Sequence, residues 1–402
     1  MQVLGSQWLD AVESASPAAA VDAFAQSLGK ALGARGVRLW TADVSGRVLV
    51  FVASSSDERG HDTVGEQVDL RESPWAEVVA RQECRSVQED DCVRVLAPVT
   101  TRGDAMGVLE IVLDDTPDDD ARSLIAAAAH QLAFVVTAER RHTDLYEWGQ
   151  RTRPVTLAAE IQRRLLPASP TCEAGQCTVA GWLEPASSVG GDTFDYAMDR
   201  DRLYLALTDA MGHDVAAALL ATLAVGSLRN GRRAGQSLRD VAAGASRAVA
   251  DHGPLPSFVT GLLMRVDLAT GTAQVVNAGH PPPFLIRDGC VDSVDVPPDL
   301  PLGVLADRPY RVHELRLRPG DRLVLATDGM LERGAEAADL AALLLETRPL
   351  HPREAMPNLT RAVLDAVDGD LRDDAAVLCL DWLGEQEQRP ADAGASNDRA
   401  SG

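Results

Sequence analysis

Residues 203–223, LYLALTDAMGHDVAAALLATL, decide how the second half of this chain is read. Leu203 to Thr208 is an apolar run of strand length that delivers one carboxylate, Asp209, at its end. Gly212 then marks a turn, and a helix is expected after Asp214, with Val215, Leu219, Leu223 and Leu228 near one face and Gly231 past its end. The same grammar recurs at 317–332, LRPGDRLVLATDGMLE, where Leu323 to Thr327 delivers Asp328 followed by Gly329. Asp192 follows Gly190 and Gly191, whose missing side chains let backbone approach closely. Asp373 and Asp374 immediately precede the last apolar run. A rigid apolar strand holding a carboxylate at its end is an expensive arrangement unless a cation meets it. Oxygen-only donors suit Mg²⁺ or Mn²⁺, and two such ions can activate a bridging water for in-line displacement at phosphorus.

Working outward, the segment 168–383 reads as strand-rich with inserted helices. Strands are expected at 179–183, 202–208, 259–266, 273–277, 284–286, 312–317, 322–326 and 376–381, and a second helix follows the N-cap Ser237. Before it, residues 140–167 read as a helical connector made basic by Arg140, Arg141, Arg151, Arg153, Arg163 and Arg164. Pro154 begins or kinks a helix there, and Leu157, Ile161 and Leu165 recur every fourth residue as an apolar stripe. Such a stripe suits either an identical stripe, giving a homodimer, or the body of the second domain. The tail 384–402 is polar and small and is expected to be disordered.

Residues 1–139 read as a small α+β domain. Ser16 and Pro17 look like an N-cap and first helical residue, with Val21, Phe24, Leu28 and Leu32 on one face. Strands are expected at 37–41, 48–53, 93–99 and 107–113, with turns at Ser45-Gly46 and Arg102-Gly103-Asp104, and a closing helix at about 118–140 carries Leu124, Ile125, Ala128, Leu132 and Val135 inward. Trp40, Phe51 and Trp75 suit either a pocket lining or plain core packing.

The chain of 402 residues is too long for one ordinary core, and its hydrophobic content of 46% is that of a folded protein. A net charge of -22 argues against a nucleic-acid partner, which needs a basic face. No run of about 18 apolar residues is apparent, so no membrane span is expected, and the first residues lack the basic and apolar regions of a secretory signal. The six cysteines form no paired CxxC units, which speaks against zinc and for reduced thiols in the cytoplasm.

Six stretches in order strengthen the reading of the carboxylates: EPASSVGGDTFDY (184–196), the 203–223 stretch, VVNAGHPPPFLI (275–286), PLGVLADRPY (301–310), the 317–332 stretch and LRDDAAVLCL (371–380). Together they resemble the SpoIIE-like branch of the PPM metal-dependent protein phosphatases, over essentially all of 155–383, including EIQRRLLP at 160–167. VRVLAPVTTRGDAMGVLEIVL (93–113) resembles part of a GAF sensory domain. The resemblance implies an α-β-β-α sandwich phosphatase domain behind a GAF-like domain and a helical connector. It implies two Mn²⁺ or Mg²⁺ ions on Asp192, Asp209, the carbonyl of Ala210, Asp328 and Asp373, with Asp374 the lesser choice of the last pair. It implies phosphoserine or phosphothreonine protein substrates, typically anti-anti-sigma factors of partner-switching pathways, with gating by the sensor.

Two positions depart from the family pattern. Asp214 stands where glycine is common, and is expected to cap the helix at 215. Met211 stands where the eukaryotic branch carries a histidine general acid, so proton delivery falls to water or another group, with His213 and His280 the candidates. The rival reading is a catalytically silent scaffold that keeps the fold for binding. A nucleotide sensor as the main function is a third. The intact aspartate set favours the enzyme. No kinase motif is visible.

Overall fold

The computed structural model describes residues 4–43, 45–54, 66–71, 73–150, 152, 155–185, 190–253, 256–305, 308–331, 337–366 and 373–384. Arg151, Arg153, Pro154, Glu332 and the tail after 384 lie outside the described residues. The chain divides near residue 154 into two compact units. The expected connector falls partly in each, its first half with the first unit and its second half with the second.

The first unit runs α1 (Leu4–Ser14), α2 (Ala20–Leu32), β1 (Gly36–Ala42), β2 (Val48–Ser54), β3 (Gln67–Asp69), α3 (Pro74–Arg81), β4 (Arg85–Gln88), β5 (Val93–Thr101), β6 (Asp104–Leu113), α4 (Asp119–Glu139) and α5 (Leu145–Gly149). Its strands make one antiparallel sheet in the order β3-β2-β1-β6-β5-β4. Alternation along the strands splits the apolar residues between two faces. Leu39 and Ile111 face a core with Phe24, Leu28, Ile125, Leu132 and Tyr146. Trp40, Leu96 and Val108 face a smaller one with Trp75 and Val78 of α3.

Of the two readings of the aromatic trio, the structure shows packing: the Trp40 ring lies 5.6 Å from Phe51 and 5.3 Å from Trp75 by centroids. Trp40 Nε1 donates to the buried Glu110 carboxylate at 2.8 Å, as a buried indole N–H requires. The first expected helix starts later than Ser16-Pro17 suggests. Residues 17–19 form a turn and α2 begins at Ala20 with no side-chain cap. The short elements α1, β3, α3 and β4 went unread, although Ser73-Pro74 is a cap signal: Ser73 accepts from the Ala76 N–H. Helix α4 is long and apolar enough to cross a bilayer by length and composition, a test that the core helix of a soluble domain also meets. Its Ile125, Ala128, Leu132 and Val136 are buried in the unit's core.

The second unit begins with α6 (Leu157–Leu165), β7 (Thr171–Glu173), β8 (Cys177–Glu184), β9 (Thr193–Met198), β10 (Arg202–Ala210), α7 (Asp214–Arg233) and α8 (Leu238–His252). It continues with β11 (Val259–Asp267), β12 (Thr272–Ala278), β13 (Phe284–Arg287), β14 (Cys290–Ser293), β15 (His313–Arg316) and β16 (Arg322–Ala326). A short 3₁₀ turn (Asp328–Met330), α9 (Ala337–Glu346), α10 (Pro352–Ala366) and β17 (Ala375–Trp382) complete it. Two antiparallel sheets form, ordered β15-β12-β11-β10-β9 and β14-β13-β16-β17-β8-β7.

Period-2 burial builds the layers. Leu203, Leu205 and Leu207 of β10 meet Leu323, Leu325, Leu378 and Leu380 of the other sheet in a shared core. On the outer face of the first sheet, Ala210, Leu263 and Val276 pack under α7 and α8. On the outer face of the second, Val324, Ala326 and Val377 pack under α9 and α10. The unit is an α-β-β-α sandwich.

Helix α7 differs from its expected form. It runs through Gly231, which lies close enough to α8 that a β-carbon there would press on Val241, and it ends at Arg233, two residues before Gly235, whose φ of 69° is the left-handed turn glycine favours. Its buried face is Ala217, Ala218, Leu220, Ala221, Ala224, Val225 and Leu228, while Val215 and Leu219 point outward. The expected stripe on α6 is also displaced. Ala158, Gln162 and Leu165 are buried, Ile161 is half-buried against Ala158 and Ala218, and Leu157 is exposed.

Candidate active site

Four separate strand ends converge at one edge of the sandwich. Asp209 lies one residue before the end of β10, paired opposite Thr260. Asp328 follows β16, and Asp373-Asp374 leads into β17, which pairs with β16. Asp192 sits immediately before β9, the neighbour of β10. Asp192 and Asp374 are fully buried, Asp209 and Asp328 are partly covered, and Asp373 is exposed.

The backbone can gather there because three glycines stand where a side chain would collide. A β-carbon at Gly190 would meet the Asp373 and Asp374 carboxyls, one at Gly191 the carbonyl oxygen of Ala210, and one at Gly329 the carbonyl of Asp374. Two threonines brace the cluster. Thr327 Oγ1 donates to Asp192 Oδ2 at 2.7 Å and accepts from the Ala376 N–H at 3.0 Å, tying β17 to Asp192. Thr193 and Thr208 share a 2.6 Å hydroxyl hydrogen bond across β9 and β10.

Gln162 was not singled out from the sequence. Its Nε2 donates to the Asp192 carbonyl at 2.8 Å and to Asp374 Oδ2, so α6 reaches directly into the carboxylate cluster. The signal was a polar residue on the same helical face as Ala158 and Leu165. Asp195, three residues beyond Asp192, holds Arg229 at 2.9 Å and Arg232 at 2.8 Å from α7, and Arg229 also donates to the Leu165 carbonyl. Helices α6 and α7 are thereby fastened to β9.

The charge pattern distinguishes this cluster from a cap or turn. Burial raises Asp192 well above the usual carboxylate range, with Asp209 next and Asp374 and Asp373 adding, against a smaller lowering by the Thr327 hydroxyl. Asp209 is pushed up to about 7, first by burial and then by Asp328 and Asp373. The charged neighbours that shift these two are all carboxylates. Among the described residues, no three acids already close around one point as ligands of a held ion do. Clustered oxygen-only donors, with Asp192 and Asp209 raised by burial and by their carboxylate neighbours, beside a backbone carbonyl that Gly191 approaches, fit divalent cations of the Mg²⁺ and Mn²⁺ type.

The expected roles of three other residues change. His280 is buried with neither ring nitrogen hydrogen-bonded, and burial holds its pKa down near 4, so at neutral pH it is the neutral imidazole, a poor acid. His213 is exposed and its Nδ1 lies 2.9 Å from Asp214 Oδ2. Asp214 is not the cap of α7: His213 occupies that position without a side-chain bond, and Asp214 has a φ of 63°. That left-handed backbone is where glycine is at ease.

Residues 199–383 match the family described as Stage II sporulation protein E (SpoIIE). They form a SpoIIE-type phosphatase domain. The domain is a PPM-type serine/threonine phosphatase, a hydrolase, and it occupies somewhat under half of the chain. The phosphoserine phosphatase RsbU of Bacillus subtilis is 24% identical over 270 residues, covering 62% of this chain and 79% of that protein. The phosphoserine phosphatase RsbP of the same organism is 22% identical over 220 residues, covering 54% of this chain and 53% of the relative. The crystal structure of the RsbU and RsbW domains of Rv1364c from Mycobacterium tuberculosis is 26% identical with a TM-score of 0.49, covering 55% of this chain and 63% of that one. This chain thus spans about half of RsbP and under two thirds of the Rv1364c structure.

Proposed function

We propose that this chain removes phosphate from phosphoserine or phosphothreonine on an anti-anti-sigma protein of a cytoplasmic partner-switching pathway, under control of its N-terminal unit. The observation that carries the reading is the gathering of Asp192, Asp209, Asp328 and Asp373 from four separate stretches into one mutually repelling set. Asp192, Asp209, the Ala210 carbonyl, Asp328 and Asp373 would hold two Mg²⁺ or Mn²⁺ ions. When bound, the ions supply a water of lowered pKa and offset the charge of the phosphoryl group.

The chain's own residues do the positioning. Thr327 fixes the Asp192 carboxylate by its 2.7 Å hydrogen bond, and Gln162 fixes the backbone on the other side. Met211 supplies no proton, and His280 is neutral at physiological pH, which leaves the exposed His213 or water to protonate the departing serine oxygen. The names of RsbU and RsbP, both phosphoserine phosphatases, support the substrate class.

The test is phosphate release from a panel of serine-phosphorylated anti-anti-sigma proteins with Mn²⁺. Turnover is expected to stop when divalent metal is removed, and Asp209→Asn and Asp328→Asn are expected to lower it by orders of magnitude with the fold retained by circular dichroism. Turnover that survives complete metal removal, or near-normal turnover in both variants, overturns the reading.

A further inference from the structure

Large apolar side chains on the surface of the second unit concentrate beside the carboxylate cluster. Met211, two residues beyond Asp209, is exposed, and its N–H bonds the carbonyl of Phe258, itself exposed, at 3.1 Å. Val259 pairs with Leu302, and Gly303 packs against the Ser257 carbonyl, which brings Val304 (45% exposed) and Leu305 (51% exposed) to the Phe258 side. Val215 and Leu219 (54% exposed), one turn apart, continue the apolar surface onto the first turns of α7. Leu220, Val225 and Leu228 of this helix are buried with its alanines, so Val215 and Leu219 are apolar residues beyond those its own core packing uses.

We propose that this rim is the docking surface for the phosphorylated substrate, and that it selects a phosphoserine segment flanked by apolar residues. The inference rests on the phosphatase reading above. It is continuous with the site through Met211, which follows the proposed ligand Ala210. Charge points the same way. A chain of net charge -22 repels acidic flanks on a phosphorylated segment at long range, so such flanks do not supply the attraction. Burial of apolar flanks against the rim can.

The test uses the full chain with Mn²⁺ and three probes: p-nitrophenyl phosphate and two phosphoserine peptides of equal length and charge, one with Leu and Phe flanks and one with Ser and Gly flanks. Wild type is expected to favour the apolar peptide by about tenfold or more in kcat/KM, mainly through KM. Leu219→Ser and Leu305→Ser are each expected to cut that preference to less than about threefold, with p-nitrophenyl phosphate turnover unchanged. Equal use of the two peptides by wild type, or full preference retained in both variants, overturns the proposal. So does a fall in mass by light scattering in the variants, which would assign the rim to a second copy of the chain. Absence of p-nitrophenyl phosphate turnover in wild type would instead remove the phosphatase reading, and this proposal with it.

Discussion

At the residue scale, Asp214 shows how one backbone angle explains a departure from a family pattern. An aspartate with φ of 63° costs about 1 kcal/mol or more relative to ordinary backbone, and the cost is far higher for a β-branched residue. Glycine removes the strain but loses about 0.5–1 kcal/mol through its freer unfolded chain. Asp214→Gly is therefore expected to leave stability within about 1 kcal/mol of wild type, whereas Asp214→Val is expected to lose about 2 kcal/mol. Urea unfolding of the two variants checks this, and a valine variant as stable as the glycine one would show that the backbone here is not left-handed. His280 belongs to the same scale. Met211 at the family's general-acid position made His280 a proton-donor candidate, and its burial removes it.

At the element scale, α6 is more than a leader into the second unit. Its buried face is two small or apolar residues around one amide, and that amide meets two otherwise costly groups, the Asp192 carbonyl and the Asp374 carboxyl. Gln162→Ala is expected to destabilise the protein by about 1–3 kcal/mol, because both acceptors stay buried. Leu157→Ala on the outer face of the same helix is expected to change stability by less than about 0.5 kcal/mol. Equal losses for the two, read by denaturant midpoint at constant slope, would mean that the hydrogen bonds from Gln162 contribute nothing. Strands β16 and β17 show the same logic in a buried ion pair. Arg322 and Asp381 face each other in register, 2.7 Å apart and almost fully enclosed, and the guanidinium also donates to the Thr347 and Leu350 carbonyls.

At the scale of the whole molecule, each unit has its own apolar cores and its own sheets. Residues 155–384 are therefore expected to fold alone, unfold cooperatively and keep Mn²⁺-dependent turnover of p-nitrophenyl phosphate. If the N-terminal unit controls the site, the full chain is expected to differ from this fragment in turnover by several-fold and to have the mass of a dimer by light scattering. Identical turnover in two monomeric species would reduce the N-terminal unit to a passive attachment.

The sequence by itself determined most strands of the sandwich, though not β7, β9 or β14, and the positions of the acids. Leu203 to Thr208 and Leu323 to Thr327 alternate or run apolar at strand length, and an acid at the end of such a run is legible without coordinates. The inward residues of α4 were legible for the same reason: a 3.6-residue period is a local property. What only the tertiary structure decided is which residues face which partner. Val215 and Leu219 read as core because they are apolar, yet the buried face of α7 is the one carrying Ala217, Leu220, Ala221, Ala224, Val225 and Leu228, and Val215 and Leu219 turn outward. Gln162 and Asp374 are 212 positions apart, and nothing in either stretch shows that a helix and a strand end meet. The left-handed backbone of Asp214 and the burial of His280 are likewise set by chain segments distant in sequence. Local pattern fixes period and chain direction, whereas the partner of a side chain depends on how separate segments pack.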